Sequence, residues 1–416
     1  MAGEFERVGA MRFGPNGDVY CSRRASHQAT RTRVRFGMPA LCLTALVAMV
    51  LPAGAQTTDA GKWEVEFRGG GIWPINPTGG TVSLPGPGPV FTTASGATNP
   101  PPTSRRVSSW YFGDGAVLFN QAASSLAMQT ASPLALSGRI TTLDPLLGRS
   151  LGGQRSGGSI GVSVIRALTP RLSAELSLDY GLQRLQITQS NSDAIEATRA
   201  SFIPAFTEVI TVNPNRVLNS VTSTATLDSG SGHQFVASGT LIVNLRTTGD
   251  VVPYATFGAG LISIAGKTPS ATLRGNYQFL LPNGAPIDET DSVTVKEAGD
   301  NQTFAGILGG GVKYHVSPRW GIRLGVRVAL SKNAANTVVE ASPNVALGQR
   351  PAGRGVLGAE PSIQFSNNSS DPVTALGVTA VAASTLTGPA ITELRTFSGS
   401  GVLTHTNITA GILWRF

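Results

Sequence analysis

The chain has 416 residues, of which 41% are hydrophobic and only 13% are charged. This charge density is about half of that in an average soluble protein, while a mean hydropathy of only +0.08 argues against a bundle of membrane helices. The 50 glycines and 26 prolines, with abundant Ser and Thr, favour strands and turns over helices. We therefore predict an all-β fold.

The first predicted element is a signal peptide in residues 31–55. Three arginines between positions 31 and 35 precede an apolar run from Met38 to Leu51, and Ala53-Gly54-Ala55 follows this run. A basic region, an apolar core and small residues in this order form the pattern of a cleaved export signal. The apolar run is shorter than the ~18–20 residues that span a membrane as a helix. We therefore expect export and cleavage before Gln56.

Residues 1–30 lie upstream of a signal peptide of ordinary length, so we interpret them as a mis-assigned or non-native extension. Cys21 and Cys42 both lie before the predicted cleavage site, so the mature chain, residues 56–416, has no thiol and no cysteine metal site. The formal net charge is +8, but residues 1–55 contain seven Arg and three acidic residues, which leaves +4 for the rest. We therefore expect no nucleic-acid partner.

Alternating apolar and polar residues predict eight strands in the mature chain. Three segments show the alternation most clearly, "KWEVEFRGGGIW", "RLSAELSLDYGL" and "RWGIRLGVRVAL", and each carries aromatic residues near its ends. Membrane strands need about 9–11 residues. The eight predicted strands span residues 62–73, 157–168, 171–187, 233–247, 251–266, 303–316, 319–330 and 402–416.

The connections between these strands alternate in length. Three are short turns, whereas the other four have about 30 to 80 residues. Short turns at one end and long loops at the other are typical of outer-membrane barrels. Closure predicts that the first strand pairs with the last, because an open sheet edge is excluded from hydrocarbon. Two alternatives are a soluble two-sheet sandwich and a barrel of ten or twelve strands.

Four segments carry a resemblance to a known family. "IRALTPRLSAELSLDY", "VKYHVSPRWGIRLGVRVAL", "PYATFGAGL" and the C-terminal "ITAGILWRF" resemble the eight-stranded outer-membrane barrels of the OmpA-like and OmpW-like kind. The resemblance implies location in the outer membrane of a Gram-negative-type cell. It also implies that Ile412, Trp414 and Phe416 form the signal that the barrel-assembly machinery reads. The expected partners are outer-membrane lipid and this machinery, with no cofactor and a monomeric state.

The alternation also places charged side chains inside the predicted barrel. An interior of eight strands is just wide enough for side chains to fill it, and charges buried this densely must pair. We predict a lumen charge network, with a gate or ligand site as the alternative. Its predicted members are Glu64, Glu66, Arg68, Glu175, Asp179, Lys313, Arg323 and Arg327, with Arg415 as a further candidate.

Motifs for catalysis or metal binding are weak. The "GGSIG" around Ser159 opens a strand, whereas a nucleophile elbow needs a strand-to-helix turn. His233, His315 and His405 fall on different predicted strands, so we predict no metal site. His405 lies near Asn407, as in outer-membrane lipid deacylases, but Thr406 stands where those enzymes need a serine. We therefore predict a structural or surface-interaction role without enzymatic activity. The alternatives are a narrow pore or hydrophobic-solute conduit and a lipid-modifying enzyme.

The long loops carry three further predictions. Trp110, Tyr111 and Phe112 are expected to cap the barrel mouth or anchor at the membrane interface. Apolar residues at helical spacing after Ser192 predict a short helix that ends at Pro204. Two strands around Pro282-Asn283-Gly284 are expected to extend the barrel wall into solvent. The segment "PVTALGVTAVAAS" stays ambiguous.

Overall fold

The structure is a computed structural model, and it describes residues 12–13, 19–20, 61–76, 79–92, 103–129, 138–212, 216–280, 286–299, 302–332, 335–347 and 385–416. The chain divides into two compact units, Met1–Leu51 and Pro52–Phe416. In the first unit, strands β1 (Arg12–Phe13) and β2 (Val19–Tyr20) pair antiparallel. The predicted signal peptide and the ambiguous "PVTALGVTAVAAS" segment lie outside the described residues.

The second unit is built mainly from strands. In chain order its strands are β3 (Trp63–Ile75), β4 (Gly79–Val82), β5 (Val90–Thr92), β6 (Thr103–Arg105), β7 (Gly152–Gln154), β8 (Gly157–Ala167), β9 (Leu172–Ile187), β10 (Val217–Asp228), β11 (His233–Asn244), β12 (Val251–Ala265), β13 (Ser270–Leu280), β14 (Pro286–Ala298), β15 (Gln302–His315), β16 (Trp320–Ser331), β17 (Asn336–Ala341), β18 (Asn344–Leu347), β19 (Ile391–Ser400) and β20 (Leu403–Arg415). Its helices are α1 (Gly113–Gln129), α2 (Asp144–Leu147) and α3 (Gln189–Thr211). Among the described residues, no helix is long and apolar enough to cross a membrane.

Eight of the described strands form a closed antiparallel barrel in the order β3-β8-β9-β11-β12-β15-β16-β20, and β20 pairs with β3 over twelve residues to complete the ring. The seam continues at the chain end, where the Phe416 amide donates to the Trp63 carbonyl at 3.0 Å. The eight predicted strands and their closure are therefore confirmed, and the sandwich and the wider barrel are wrong.

The wall of the barrel is apolar outside and polar inside, as the alternation predicts. Trp320 and Trp414 pack with ring centroids 4.3 Å apart at the short-turn end, where the Arg166 guanidinium also lies over the Trp63 ring. Large apolar side chains exposed on the outer wall include Phe67, Ile160, Val162, Val164, Leu176, Leu178, Phe257, Phe304, Leu308, Ile322, Leu324, Ile408 and Ile412. An apolar band of this kind around a closed barrel is the surface that contacts lipid in outer-membrane barrels.

A second sheet stands on the long-loop end of the barrel. Its described strands run in the order β10-β13-β14-β17-β19-β4, with β18 paired to β14 beside β17. The predicted pair of strands in the third loop is confirmed as the antiparallel hairpin β13–β14, but the hairpin belongs to this second sheet and does not continue the barrel wall, so that part of the prediction is wrong. We call this sheet, together with α1, α2 and α3, the extension.

The extension has its own aromatic core, which packs the helices against the sheet. The Phe206 ring lies 4.3 Å from the rings of both Phe202 and Tyr277. Trp110 and Tyr111 are fully buried in the same core, and Phe112 is 4% exposed. The predicted anchoring of these three residues at the membrane interface is therefore wrong.

The prediction that α3 ends at Pro204 is also wrong. Proline removes one backbone N–H and disfavours the preceding turn, yet α3 continues to Thr211. Phe202, Phe206 and Ile210 follow one another at four-residue intervals and are fully buried. Burial of this apolar stripe offsets the local cost of the proline.

Candidate functional site: a filled lumen beneath the extension

The structure places all eight predicted network residues on the inner face of the barrel, where they divide into two clusters. Six of them meet at mid-height and form what we call the lumen cluster, namely Glu66, Arg68, Glu175, Asp179, Arg323 and Arg327. The other two, Glu64 and Lys313, join Arg415 nearer the short-turn end and form the lower cluster.

Glu175 is the centre of the lumen cluster. Its Oε2 accepts from Arg323 Nη2 at 3.1 Å, and its Oε1 accepts from Arg68 Nη1 at 3.1 Å. Arg327 Nη2 also donates to Oε1, and the Thr240 hydroxyl donates to Oε2 at 3.4 Å. Three guanidinium groups from two strands thus share one carboxylate that is 1% exposed.

The other two acids of the lumen cluster complete its charge balance. Arg68 holds Asp179 in bidentate fashion, with Nε to Oδ1 at 2.8 Å and Nη2 to Oδ2 at 2.6 Å. Glu66 Oε2 accepts from Arg323 Nη1 at 2.9 Å and from the Ser163 hydroxyl at 2.8 Å. Three carboxylates therefore face three guanidinium groups, and the lumen cluster has no net charge. Such pairing is required for charges to persist away from water.

The lower cluster closes the short-turn end of the lumen. Glu64 Oε2 accepts from Lys313 Nζ at 3.0 Å, and Glu64 Oε1 accepts from Arg415 Nη2 at 2.6 Å. Arg415 Nη2 also lies 3.2 Å from His315 Nδ1. The lower cluster joins the first and the last strands of the ring, because Glu64 lies on β3 and Arg415 on β20.

A different layer of polar side chains lines the lumen at its long-loop end. Gln234, Ser331 and His405 each lie within three residues of that end of their strands. Within the described residues, both polar side-chain atoms of Gln234 and both ring nitrogens of His405 have no hydrogen-bond partner, and neither has the Ser331 hydroxyl. Ile262, Ala305 and Ile307 pack together at the same end of the lumen.

Two buried carboxylates bind the extension together above the barrel. Asp291 Oδ2 accepts from the Trp110 amide at 2.6 Å and from the Ser109 hydroxyl at 2.9 Å. Glu289 accepts from the Tyr277 hydroxyl, which in turn accepts from Trp110 Nε1 at 3.1 Å. Complete burial raises the pKa of Asp291 to about 7, although the two hydrogen bonds to Oδ2 oppose this rise.

The candidate catalytic and metal-ligating residues do not form a site. Ser159 opens β8 and its hydroxyl donates to Asn407 Oδ1 at 3.2 Å, and no histidine receives it. His405 faces the lumen, whereas His233 packs on the outer wall with its ring 5.4 Å from the Tyr180 ring. In the part of the chain that the structure describes, no group of three metal-ligating side chains occurs.

Sequence reasoning missed three contributors to this region. Tyr254 lies beneath Arg323, whose guanidinium carbon is 4.4 Å from the ring centroid. The period-two pattern of β12 places the Tyr254 side chain on the inner face, so the sequence could have identified Tyr254 as part of the lumen. On β14 the same alternation places Glu289 and Asp291 on the face of Val293 and Val295, so their burial could also be predicted. The contact of Asp291 with Trp110 could not, because it joins distant segments.

The closed ring, its apolar outer wall and its polar interior define an eight-stranded β-barrel of the outer-membrane class. No protein-family model and no curated protein matches the chain.

Comparison with solved structures gives similarities at very low sequence identity. The crystal structure of the outer membrane protein OprG from Pseudomonas aeruginosa is similar with a TM-score of 0.32 and 8% identity, covering 87% of this chain and 99% of that one. An outer membrane channel from Pseudomonas putida F1 gives a TM-score of 0.22 at 9% identity, covering 88% of this chain and 100% of that one. The P. putida toluene transporter TodX gives a TM-score of 0.16 at 9% identity, covering 86% of this chain and 91% of that one.

Proposed function

We propose that this chain is a sealed outer-membrane barrel that holds a packed extension at the cell surface, with a structural or surface-interaction role. The observation that supports the sealed barrel most strongly is the lumen cluster. Arg323 and Glu175 are 2% and 1% exposed, so the middle of the lumen is filled by paired side chains. Moving an ion through this layer requires several charge-assisted hydrogen bonds to break together.

The extension supports both parts of the proposal. Its aromatic core stands over the long-loop end of the barrel, and long loops of such barrels face the cell exterior. Within the described residues, its end strands β10 and β4 each pair with a strand on one side only. An extended peptide can bind to an edge of this kind by adding a strand.

The test of the sealed barrel measures ions and neutral solutes separately. Purified protein is placed in a planar bilayer in concentrated potassium chloride and, in parallel, in liposomes that swell when a neutral sugar enters. We expect no steady current, and we expect liposomes that contain the protein to swell no faster than empty liposomes. A general porin is the positive control in both measurements. Steady current would overturn the proposal in favour of a narrow pore, and sugar entry alone would favour a conduit for uncharged solutes.

One observation favours the conduit as a second candidate. The unpartnered atoms of Gln234, Ser331 and His405 face the lumen, where a neutral solute with donor and acceptor groups would satisfy them. The corresponding experiment is entry of a neutral solute with donor and acceptor groups, such as a small amide, into liposomes. Faster entry with wild type than with His405→Leu would support the conduit over the sealed barrel.

The proposal includes no catalysis. His405, the residue on which a lipid-modifying activity would depend, is 4% exposed within the lumen. Lipid extracts of cells that express wild type or His405→Ala should therefore show the same acyl composition. A product present only with wild type would establish an enzyme instead.

A further inference from the structure

The outer wall of the barrel carries an open groove of about 610 Å³. Strand register shows how it forms, because side chains on one face of paired strands line up in rows across the sheet. From β9 to β15, the upper row of the groove is Leu178, Ala237, Leu261 and Phe304, and the row directly beneath is Leu176, Gly239 and Ala259.

The groove has high walls and a low floor. Leu176 is 71% exposed on one wall and Phe304 is 82% exposed on the other. Gly239 leaves the floor without a side chain, and Ala237 and Ala259 beside it carry only methyl groups. Adjacent strands are about 4.8 Å apart, so the floor is wide enough for one or two hydrocarbon chains that run along the wall.

Polar and aromatic side chains lie directly above the groove at the long-loop end. Tyr180 and Phe235 form the next row, with ring centroids 4.9 Å apart, as in the aromatic girdle of a membrane interface. Arg184 pairs with His233 in the row above them. Lys267 follows two residues after Ala265, the β12 partner of His233. Arg184 and Lys267 are both exposed, so two cations stand above an apolar channel.

We propose that this groove binds a phosphorylated, multiply acylated lipid of the outer leaflet, with its acyl chains in the groove and its phosphate at Arg184 and Lys267. Charge complementarity identifies the occupant. A neutral lipid would leave the two cations without a partner, and a zwitterionic lipid would bring an ammonium group along with its phosphate. A second copy of this chain would bring its own Arg184 and Lys267 against them. The proposal does not depend on whether the lumen conducts.

The test is native mass spectrometry of the full chain released from detergent micelles that contain bisphosphorylated lipid A or, separately, phosphatidylcholine. Gly239→Leu fills the floor without a backbone clash, because the first added carbon would lie 3.6 Å from Leu176 Cδ2. Arg184→Gln and Lys267→Gln remove the cations singly and together. Ala410→Leu adds three carbons, one fewer than Gly239→Leu, to the opposite side of the outer wall, and Arg171→Gln removes a cation at the short-turn end.

Wild type should retain lipid A in preference to phosphatidylcholine. Each cation variant should weaken retention about 5-fold, since a cation near an anionic lipid surface contributes about that factor. Gly239→Leu should weaken it more than 10-fold by displacing about two or more methylene groups, whereas both control variants should match wild type.

The phosphate assignment would be overturned if wild type retained the two lipids equally. It would also be overturned if wild type and the double cation variant retained lipid A equally. Retention by Gly239→Leu equal to that by Ala410→Leu would overturn the groove itself. The shift in gel mobility between heated and unheated samples shows in each case that the variant barrel is folded.

Discussion

Asp291 gives the sharpest prediction about the extension. Its pKa of about 7 in the folded protein lies above the ordinary value of 3.8, so folding favours its protonated form. The stabilisation of the folded extension by protonated Asp291 is therefore complete below about pH 3.8. It is lost as the pH rises to about 7, and it stays lost at higher pH. The full difference is about 4 kcal/mol at about 1.4 kcal/mol per pH unit, of which about 3 kcal/mol falls between pH 5 and pH 8.

Asp291→Asn should remove this pH dependence. Both hydrogen-bond donors, the Trp110 amide and the Ser109 hydroxyl, bind Oδ2, while Oδ1 has no hydrogen-bond partner among the described residues. An asparagine can keep its carbonyl oxygen at the Oδ2 position and place its amide at the Oδ1 position, so it imitates the protonated acid. The variant should therefore lose much less stability than wild type between pH 5 and pH 8, and the loss that remains comes from Glu297 on the same strand, whose pKa is also raised by burial.

The assay is amide hydrogen exchange, corrected for the intrinsic effect of pH, with the barrel strands as internal reference. In wild type, protection of β13 and β14 should fall about 100-fold from pH 5 to pH 8. It should fall much less in Asp291→Asn. Asp288→Asn, the same change on the other face of β14, should behave as wild type does. Equal pH profiles for wild type and Asp291→Asn would refute the reasoning.

Three other perturbations test the core, the lumen and the C-terminus. Phe206→Ala should destabilise the extension by about 3–5 kcal/mol, so limited proteolysis should cut the extension and spare the barrel, and wild-type resistance would contradict this. Glu175→Gln should cost about 3–5 kcal/mol in urea unfolding, because Arg323 and Arg327 lose a counter-charge. Glu196→Gln, in an exposed pair, is its control, and an equal cost for both would count against the lumen cluster. Deleting Phe416 should impair insertion in cells more than it lowers the heat resistance of the refolded barrel, and normal insertion would remove the assembly-signal hypothesis.

The barrel could be predicted because its pattern is local. In "RLSAELSLDYGL" each side chain's face follows from its position alone, since successive residues of a strand point to opposite sides. Glu175 and Asp179 therefore had to share a face with Ser177. Which guanidinium group contacts which carboxylate depends on the shear between strands, and the period-two pattern does not contain that information.

The extension could be predicted less well because its core joins segments far apart in the chain. Trp110, for example, joins three residues from other segments: its ring packs against the rings of Phe119 and Phe206, and its Nε1 donates to the Tyr277 hydroxyl. Before these partners are known, three consecutive aromatic residues in a barrel loop resemble an interface anchor. Likewise, Pro204 predicts a helix end from local sterics, and only burial of the residues around it reverses that outcome.

The lumen cluster also explains why the ring has the size it has. Glu175 on β9 and Arg323 on β16 are four strands apart in the closed ring, on opposite sides of the lumen, yet their side chains meet at 3.1 Å. Two more strands would widen the barrel by about 4 Å, since the diameter grows roughly in proportion to strand number. The contact across the lumen would then be lost, and the carboxylate would stay buried without its full set of partners. The same contact cannot form in a flat sheet, where four strand spacings would separate the two residues, so the charges stabilise the curled ring.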